Sequence, residues 1–190
     1  AIRYLFKTKE MYPVIINTVT SPRYFSSVKL YTTNFFRLAK SRLLQGGVYA
    51  LWIDGRVSEE GTKITLKSLA EVFSKCSYLS LRKEYALIMC SDNSISIGSN
   101  MLSALPDFVA KDSYSIIKKG FFTHLNDFIY PLDMKSIKQL SVPLNTLDNP
   151  ALTYHMTAES MSSMNLSSFF AGDDSLGEKK NFEHCHFIYK

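Results

Sequence analysis

The sequence predicts an α/β domain built on part of a doubly wound sheet, with an α-rich C-terminal appendage. Three observations carry this reading. Two runs, 13–19 and 48–53, are apolar almost throughout, and the first is also largely β-branched. Helical periodicity separates and follows them, and two strand-like runs at 76–81 and 85–90 then stand almost end to end. Strands apolar on both faces belong to sheets covered on both sides, the usual condition of parallel sheets.

Pro13-Val14-Ile15-Ile16-Asn17-Thr18-Val19 is the first strand, and Ser21-Pro22 stops it. A helix should begin at Thr32 or Thr33, whose hydroxyls can cap it. Phe35, Phe36, Leu38, Ala39, Leu43 and Leu44 recur at intervals of about three and four, giving one buried face. Lys40 and Arg42 would sit at its C-terminus, where the helix dipole favours cations. Gly46-Gly47 would end it, because glycine adopts positive φ without a Cβ penalty. Val48–Ile53 is the second strand, left through Asp54-Gly55. A further helix carries Leu66, Leu69, Ala70 and Phe73. The link Arg82-Lys83-Glu84 is short enough for an antiparallel hairpin. The order β-α-β-α-β-β is that of two right-handed crossovers followed by a hairpin.

Beyond residue 95 the pattern changes. Ile116, Ile117, Phe121, Phe122 and Leu125 have the spacing of an amphipathic helix, and 134–140 that of another. Residues 157–180 are rich in Ser, Met and Gly and read as a mobile loop, with 182–189 as a final strand. The expected organisation is thus a sheet domain over 1–95, a helical extension over 96–156, and a loop with a last strand over 157–190.

Composition narrows the function classes. The 190 residues are 46% hydrophobic and 21% charged, ordinary globular usage. The formal charge is +5, but Lys and Arg are dispersed, and the densest pairs, Lys118-Lys119 and Lys179-Lys180, make no patch for a nucleic-acid backbone. No apolar run reaches the roughly 18–20 residues needed to span a bilayer, and no signal-peptide pattern opens the chain. Cys76, Cys90 and Cys185 are odd in number and widely spaced, which argues against a disulfide framework and for a reducing, cytoplasmic setting. His184 and His186 would share one face of a strand, yet no second cluster completes a metal site, so none is expected. The opening Ala1-Ile2-Arg3-Tyr4-Leu5, close before an apolar strand, looks like a cut made inside a larger domain.

Several segments, taken together, carry a resemblance. Ser21-Pro22, Leu30-Tyr31-Thr32-Thr33-Asn34-Phe35-Phe36, Arg42-Leu43-Leu44-Gln45-Gly46-Gly47-Val48 and Trp52 follow one another at characteristic spacing. A shorter echo, Leu144-Asn145-Thr146-Leu147-Asp148-Asn149-Pro150, lies downstream. In these features residues 3–91 resemble the spermidine/spermine synthase family, the polyamine aminopropyltransferases, in its synthase-like bacterial form. The resemblance implies a class I methyltransferase-like (Rossmann) sheet of which this chain supplies strands four to seven. It implies decarboxylated S-adenosylmethionine as co-substrate and a polyamine or similar amine as acceptor.

It also exposes departures. The family's glycine-rich loop after strand one, and the acidic residue after strand two, have no counterpart, so the chain alone is expected to hold no cofactor. A protonated amine must lose a proton before it attacks the carbon beside a sulfonium, and the family supplies carboxylates for this. Alignment on Pro22 puts Thr18 and Ser21 at those two catalytic positions, and unperturbed hydroxyls are no bases at neutral pH. The resemblance nominates Pro22, Tyr31, Trp52 and Asp54 for substrate binding. From the residues alone, Tyr31 either lines a cleft or staples the following helix. Trp52 is core or cleft wall, and Asp54 meets a cationic amine or simply turns the chain.

Three functions compete: the C-terminal portion of a spermidine-synthase-like protein, inactive without its other half; a degenerate binding or assembly module; and an S-adenosylmethionine-dependent methyltransferase-like domain. If strand 14–19 is the first of the sheet, its outer edge needs a cover. A second copy of the chain, a lost N-terminal domain (through which the full-length protein could also be membrane-anchored), or the strand near Phe187 would provide one.

Overall fold

The computed structural model describes residues 2–18, 25–54, 57–82, 85–95, 129–155 and 166–171. The predicted helix at 116–125, most of the loop expected over 157–180, the final strand and the His184-Cys185-His186 cluster lie outside them. The described part of that loop, 166–171, is not a free loop: it holds a 3-10 turn, Ser167–Phe169, and bridges Leu132 through Phe170.

Five strands form one sheet in the order β1-β2-β4-β3-β5. They are β1 (Tyr12–Asn17), β2 (Leu43–Asp54), β3 (Lys75–Arg82), β4 (Tyr85–Ser91) and β5 (Ile129–Pro131). β1 and β2 are parallel, with Ile15 opposite Tyr49 and Asn17 opposite Leu51. β4 runs antiparallel between β2 and β3. The chain therefore leaves β2, skips a position, lays down β3 parallel to β2, and returns through a hairpin into the gap. This is the β-α-β-α-β-β order expected from the sequence. Among the described residues β1 is the outermost strand, with β2 its neighbour.

The helices are α1 (Ile2–Lys7), α2 (Phe25–Val28), α3 (Thr33–Lys40), α4 (Glu59–Ala70) and α5 (Met134–Lys138). A 3-10 turn, Lys29–Tyr31, links α2 to α3. Thr32 caps α3 as anticipated, its hydroxyl accepting from the Phe35 amide at 3.2 Å. Ser58 caps α4 in the same way through the Gly61 amide. Asp133 caps α5, accepting from the Lys135 and Ser136 amides; the Ser136 hydroxyl, which donates to its other carboxylate oxygen, and then these amides hold its carboxyl below the usual carboxylate range.

α3 ends earlier than its periodicity predicts. It stops at Lys40, and Leu43 and Leu44 belong to β2. Gly46 and Gly47 therefore do not end a helix. They sit in an irregular stretch of β2, where β1 advances from Tyr12 to Val14 while β2 advances from Leu43 to Val48. Accommodating the surplus residues requires a left-handed turn, and Gly46 provides it at φ 75°. A Cβ there would lie 2.8 Å from Asn93 Nδ2. Gly46→Ala is accordingly expected to cost about 1–2 kcal/mol of stability, read as a lower urea midpoint.

One core joins α3, α4 and the sheet. Tyr49 of β2 is fully buried, with its ring stacked on Phe73 and tilted against Phe36, both at 5.6 Å. A second aromatic group, Tyr78, Tyr130 and Phe170, anchors β5 and the segment 166–170 to β3. The stretch expected to be a purely helical extension thus contributes a strand and part of the core.

Cys76 and Cys90 face each other across β3 and β4 and are joined by a disulfide. Spacing arguments cannot see such a pair, because hairpin register, not sequence proximity, brings the two residues together. The bridge removes the cysteine count as an argument for a reducing compartment.

Candidate functional site at the carboxyl ends of strands β1 and β2

Open α/β sheets bind ligands beyond the carboxyl ends of their parallel strands. Here that edge is formed by Asn17-Thr18 after β1 and Trp52–Asp54 at the end of β2. The register Asn17–Leu51 brings Thr18 level with Trp52.

Asn17, the last residue of β1, is 6% exposed and donates from Nδ2 to the Leu30 carbonyl at 3.1 Å and to the Tyr49 hydroxyl at 3.2 Å. Burial pushes the Tyr49 phenol well above its ordinary pKa, and the Asn17 hydrogen bond pulls it partly back. The Tyr49 hydroxyl therefore stays protonated and is no base. Thr18, one residue on, is exposed. Its position fits a contact with solvent or ligand, but a threonine hydroxyl cannot take a proton from an ammonium group.

Tyr31 is 0% exposed, and its hydroxyl donates to the Trp52 carbonyl at 3.3 Å. Of the two readings left open by the sequence, its burial and this bond favour the structural one, in which Tyr31 ties the 3-10 turn to β2. Trp52 is half-buried on the sheet face opposite Tyr49, in line with Leu87 of β4. Asp54 closes β2 and pairs with Tyr85; its side chain, like the whole of Ser21 and Pro22, lies outside the described residues. Thr18, Tyr31, Trp52 and the Asp54 backbone thus gather at one end of the sheet, with Tyr31 beneath it.

Asn145, within the downstream motif, has a larger part in building this end than any residue nominated for binding. It is fully buried. Its Nδ2 donates to the Tyr31 carbonyl at 3.0 Å and the Val28 carbonyl at 3.5 Å, and its Oδ1 accepts from the Leu152 amide at 3.2 Å. Its backbone accepts from the Thr33 amide at 2.8 Å and donates to the Ser68 hydroxyl at 2.9 Å. One side chain and its peptide groups therefore tie the turn before α3, α4 and the 151–154 segment together. Asn17 escaped the sequence reading, although a lone amide ending an apolar strand was the available signal.

The chemistry on offer is limited. Besides the Trp52 indole, the described polar side chains here are amides and hydroxyls: Asn17, Thr18, Tyr31 and Asn145. Glu59, at the start of α4, is ion-paired with Lys63 at 2.7 Å. The Lys63 hydrogen bond lowers its pKa, which makes it a weaker proton acceptor. Among the described residues no group of His, Cys, Asp and Glu could hold a metal ion, and no helix is long and apolar enough to cross a membrane.

No protein-family model matches the chain, and no curated protein matches it. Among solved structures it is similar to the crystal structure of a probable spermidine synthase from Corynebacterium glutamicum ATCC 13032, at 16% sequence identity and a TM-score of 0.40. That likeness covers 84% of this chain and 50% of the other, so the chain spans about half the length of the structure it matches.

Proposed function

We propose that this chain is the C-terminal portion of a spermidine-synthase-like protein and that it carries out no aminopropyl transfer by itself. The observation that carries the second half of this reading is Thr18. It occupies the exposed end of β1, where the resemblance calls for a carboxylate, and its hydroxyl cannot deprotonate an amine. Ser21 departs in the same direction. The sheet order supports the first half: two parallel strands, a skipped position and an antiparallel insertion correspond to strands four to seven of a methyltransferase-like sheet. On this reading decarboxylated S-adenosylmethionine and a polyamine are ligands of the complete protein. The outer edge of β1 then takes the N-terminal part or a second copy as its neighbour.

The test is calorimetric titration of the 190-residue chain with decarboxylated S-adenosylmethionine and with 5′-methylthioadenosine. The expected result is no saturable heat for either ligand. Stoichiometric micromolar binding would sink the proposal, because a nucleoside needs a glycine turn and an acidic ribose partner that this sequence lacks.

A second reading, a degenerate assembly module, is favoured by the replacement of both carboxylates by hydroxyls. Assaying the longest natural polypeptide that contains this chain separates the two. Aminopropyl transfer supports a working enzyme with a divided site, methyl transfer from S-adenosylmethionine supports the methyltransferase-like alternative, and silence with both leaves the module.

A further inference from the structure

We propose that α1 and the segment after it form a membrane contact: Arg3, Lys7 and Lys9 meet the phosphates of an anionic phospholipid surface, and the Ile2 and Phe6 side chains enter the boundary between headgroups and acyl chains. Exposure is the first observation. Within α1 only Leu5 is buried, whereas Phe6 is 74% and Tyr4 58% exposed. Ile2 and Met11 are exposed as well. Apolar and aromatic side chains left in water beside several cations are the composition of an interfacial helix.

The helix is held in a fixed pose. Leu5 joins the core, its carbonyl accepts from Arg42 Nε at 2.9 Å, and the Tyr4 hydroxyl lies 2.9 Å from that of Tyr12 in β1. With Leu5 turned inward, helical spacing sets Arg3 and Lys7 one turn apart on the outward side, and Ile2 and Phe6 one turn apart on the flank beside them. Arg3, Tyr4, Lys7, Thr8 and Glu10 line one open depression. Glu10 opposes an anion there, but its Oε2 accepts from the Tyr4 and Tyr12 hydroxyls at 3.2 and 2.8 Å, and Arg3, Lys7 and Lys9 outnumber it. Among the described residues none of these three cations makes an ion pair.

Charge and area together choose the occupant. Ile2, Tyr4, Phe6 and Met11 expose roughly 400 Å² of side chain between them, about half of what one partner buries in a standard protein interface. Val14 and Ile16 do not extend this patch. Ile15 stands opposite Tyr49, so they face away from α3, beside which α1 lies. A second copy seated symmetrically on the patch would bring Arg3, Lys7 and Lys9 against the same three cations. A bilayer asks for no shape complementarity from a six-residue helix, and near an anionic surface each Lys or Arg raises partitioning roughly fivefold. The inference does not depend on the proposed function.

Co-sedimentation of the 190-residue chain with lipid vesicles tests it. Binding to phosphatidylcholine vesicles containing about 30% phosphatidylglycerol should exceed binding to pure phosphatidylcholine at least ~10-fold, and about 0.5 M salt should remove most of it. Phe6→Ser/Ile2→Ser and Arg3→Gln/Lys7→Gln should each weaken binding at least ~10-fold. Lys29→Gln/Lys135→Gln removes the same charge from exposed sites elsewhere and should change binding less than ~3-fold. All these side chains are exposed, so unchanged circular dichroism melts are expected in every variant. Equal binding to neutral vesicles, no binding to either kind, or binding that the α1 substitutions leave intact would each overturn the proposal. A chain that ignores vesicles but self-associates through Phe6 would make a second copy the occupant and overturn it too. Retention by poly-glutamate without vesicle binding would do the same in favour of an acidic protein.

Discussion

Tyr49→Ala is expected to destabilise the domain by about 3–5 kcal/mol, the range for emptying a large aromatic site in a packed core. Tyr49 has 0% exposure, lies between Phe36 and Phe73, and stands at the centre of the only parallel strand pair with direct register among the described strands. Losing its ring removes the surface on which Phe36 of α3 and Phe73, just after α4, rest. Tyr49→Phe separates packing from hydrogen bonding. It keeps the ring and removes one acceptor of Asn17, which retains the Leu30 carbonyl, so about 1 kcal/mol is expected. Urea denaturation of the two variants against the parent measures both. Equal losses in the pair would mean that the hydroxyl, and not the stack, holds this part of the core together.

Asn145→Ala should cost about 3 kcal/mol, although it removes only a small side chain. The Leu152 amide loses its acceptor and the Tyr31 and Val28 carbonyls lose a donor, all in a buried setting where unmet polar groups are expensive. The loss should also have a location. Amides of the turn before α3 and of 151–154 should exchange faster, while those of the β3–β4 hairpin keep their protection. A uniform change across the chain would show that Asn145 is an ordinary core position and does not tie these segments together. Asn145→Asp keeps the acceptor for Leu152, loses the donor to Tyr31, and buries a charge, so it should be at least as damaging.

The residues nominated from sequence separate according to what decides their placement. The sequence places Thr18 inside a strand running to residue 19, and the resemblance alone nominates it; β1 ends at Asn17 and leaves Thr18 exposed just beyond it. Tyr31 was not legible, because its motif position says nothing of burial, and its hydrogen bond to the Trp52 carbonyl arises only when the chain folds. Likewise the Gly46-Gly47 pair carries the signature of a helix stop. Which element uses the positive φ depends on the β1–β2 register, a contact between segments some thirty residues apart. Asn145 appeared only as part of a short downstream echo, and its bonds to three separate segments are invisible until the chain folds back.

By itself the sequence determined what periodicity, caps and short links control. The strands read at 13–19, 48–53, 76–81 and 85–90, the Thr32 cap and the hairpin all arise from interactions between near neighbours along the chain, although β1 itself ends at Asn17. Tertiary structure alone decided the insertion of β4 between β2 and β3, the addition of β5, the Cys76–Cys90 bridge and the burial of Tyr31. Each of these depends on the lateral order and register of strands, and a pattern of apolar residues identifies a strand without naming its neighbour.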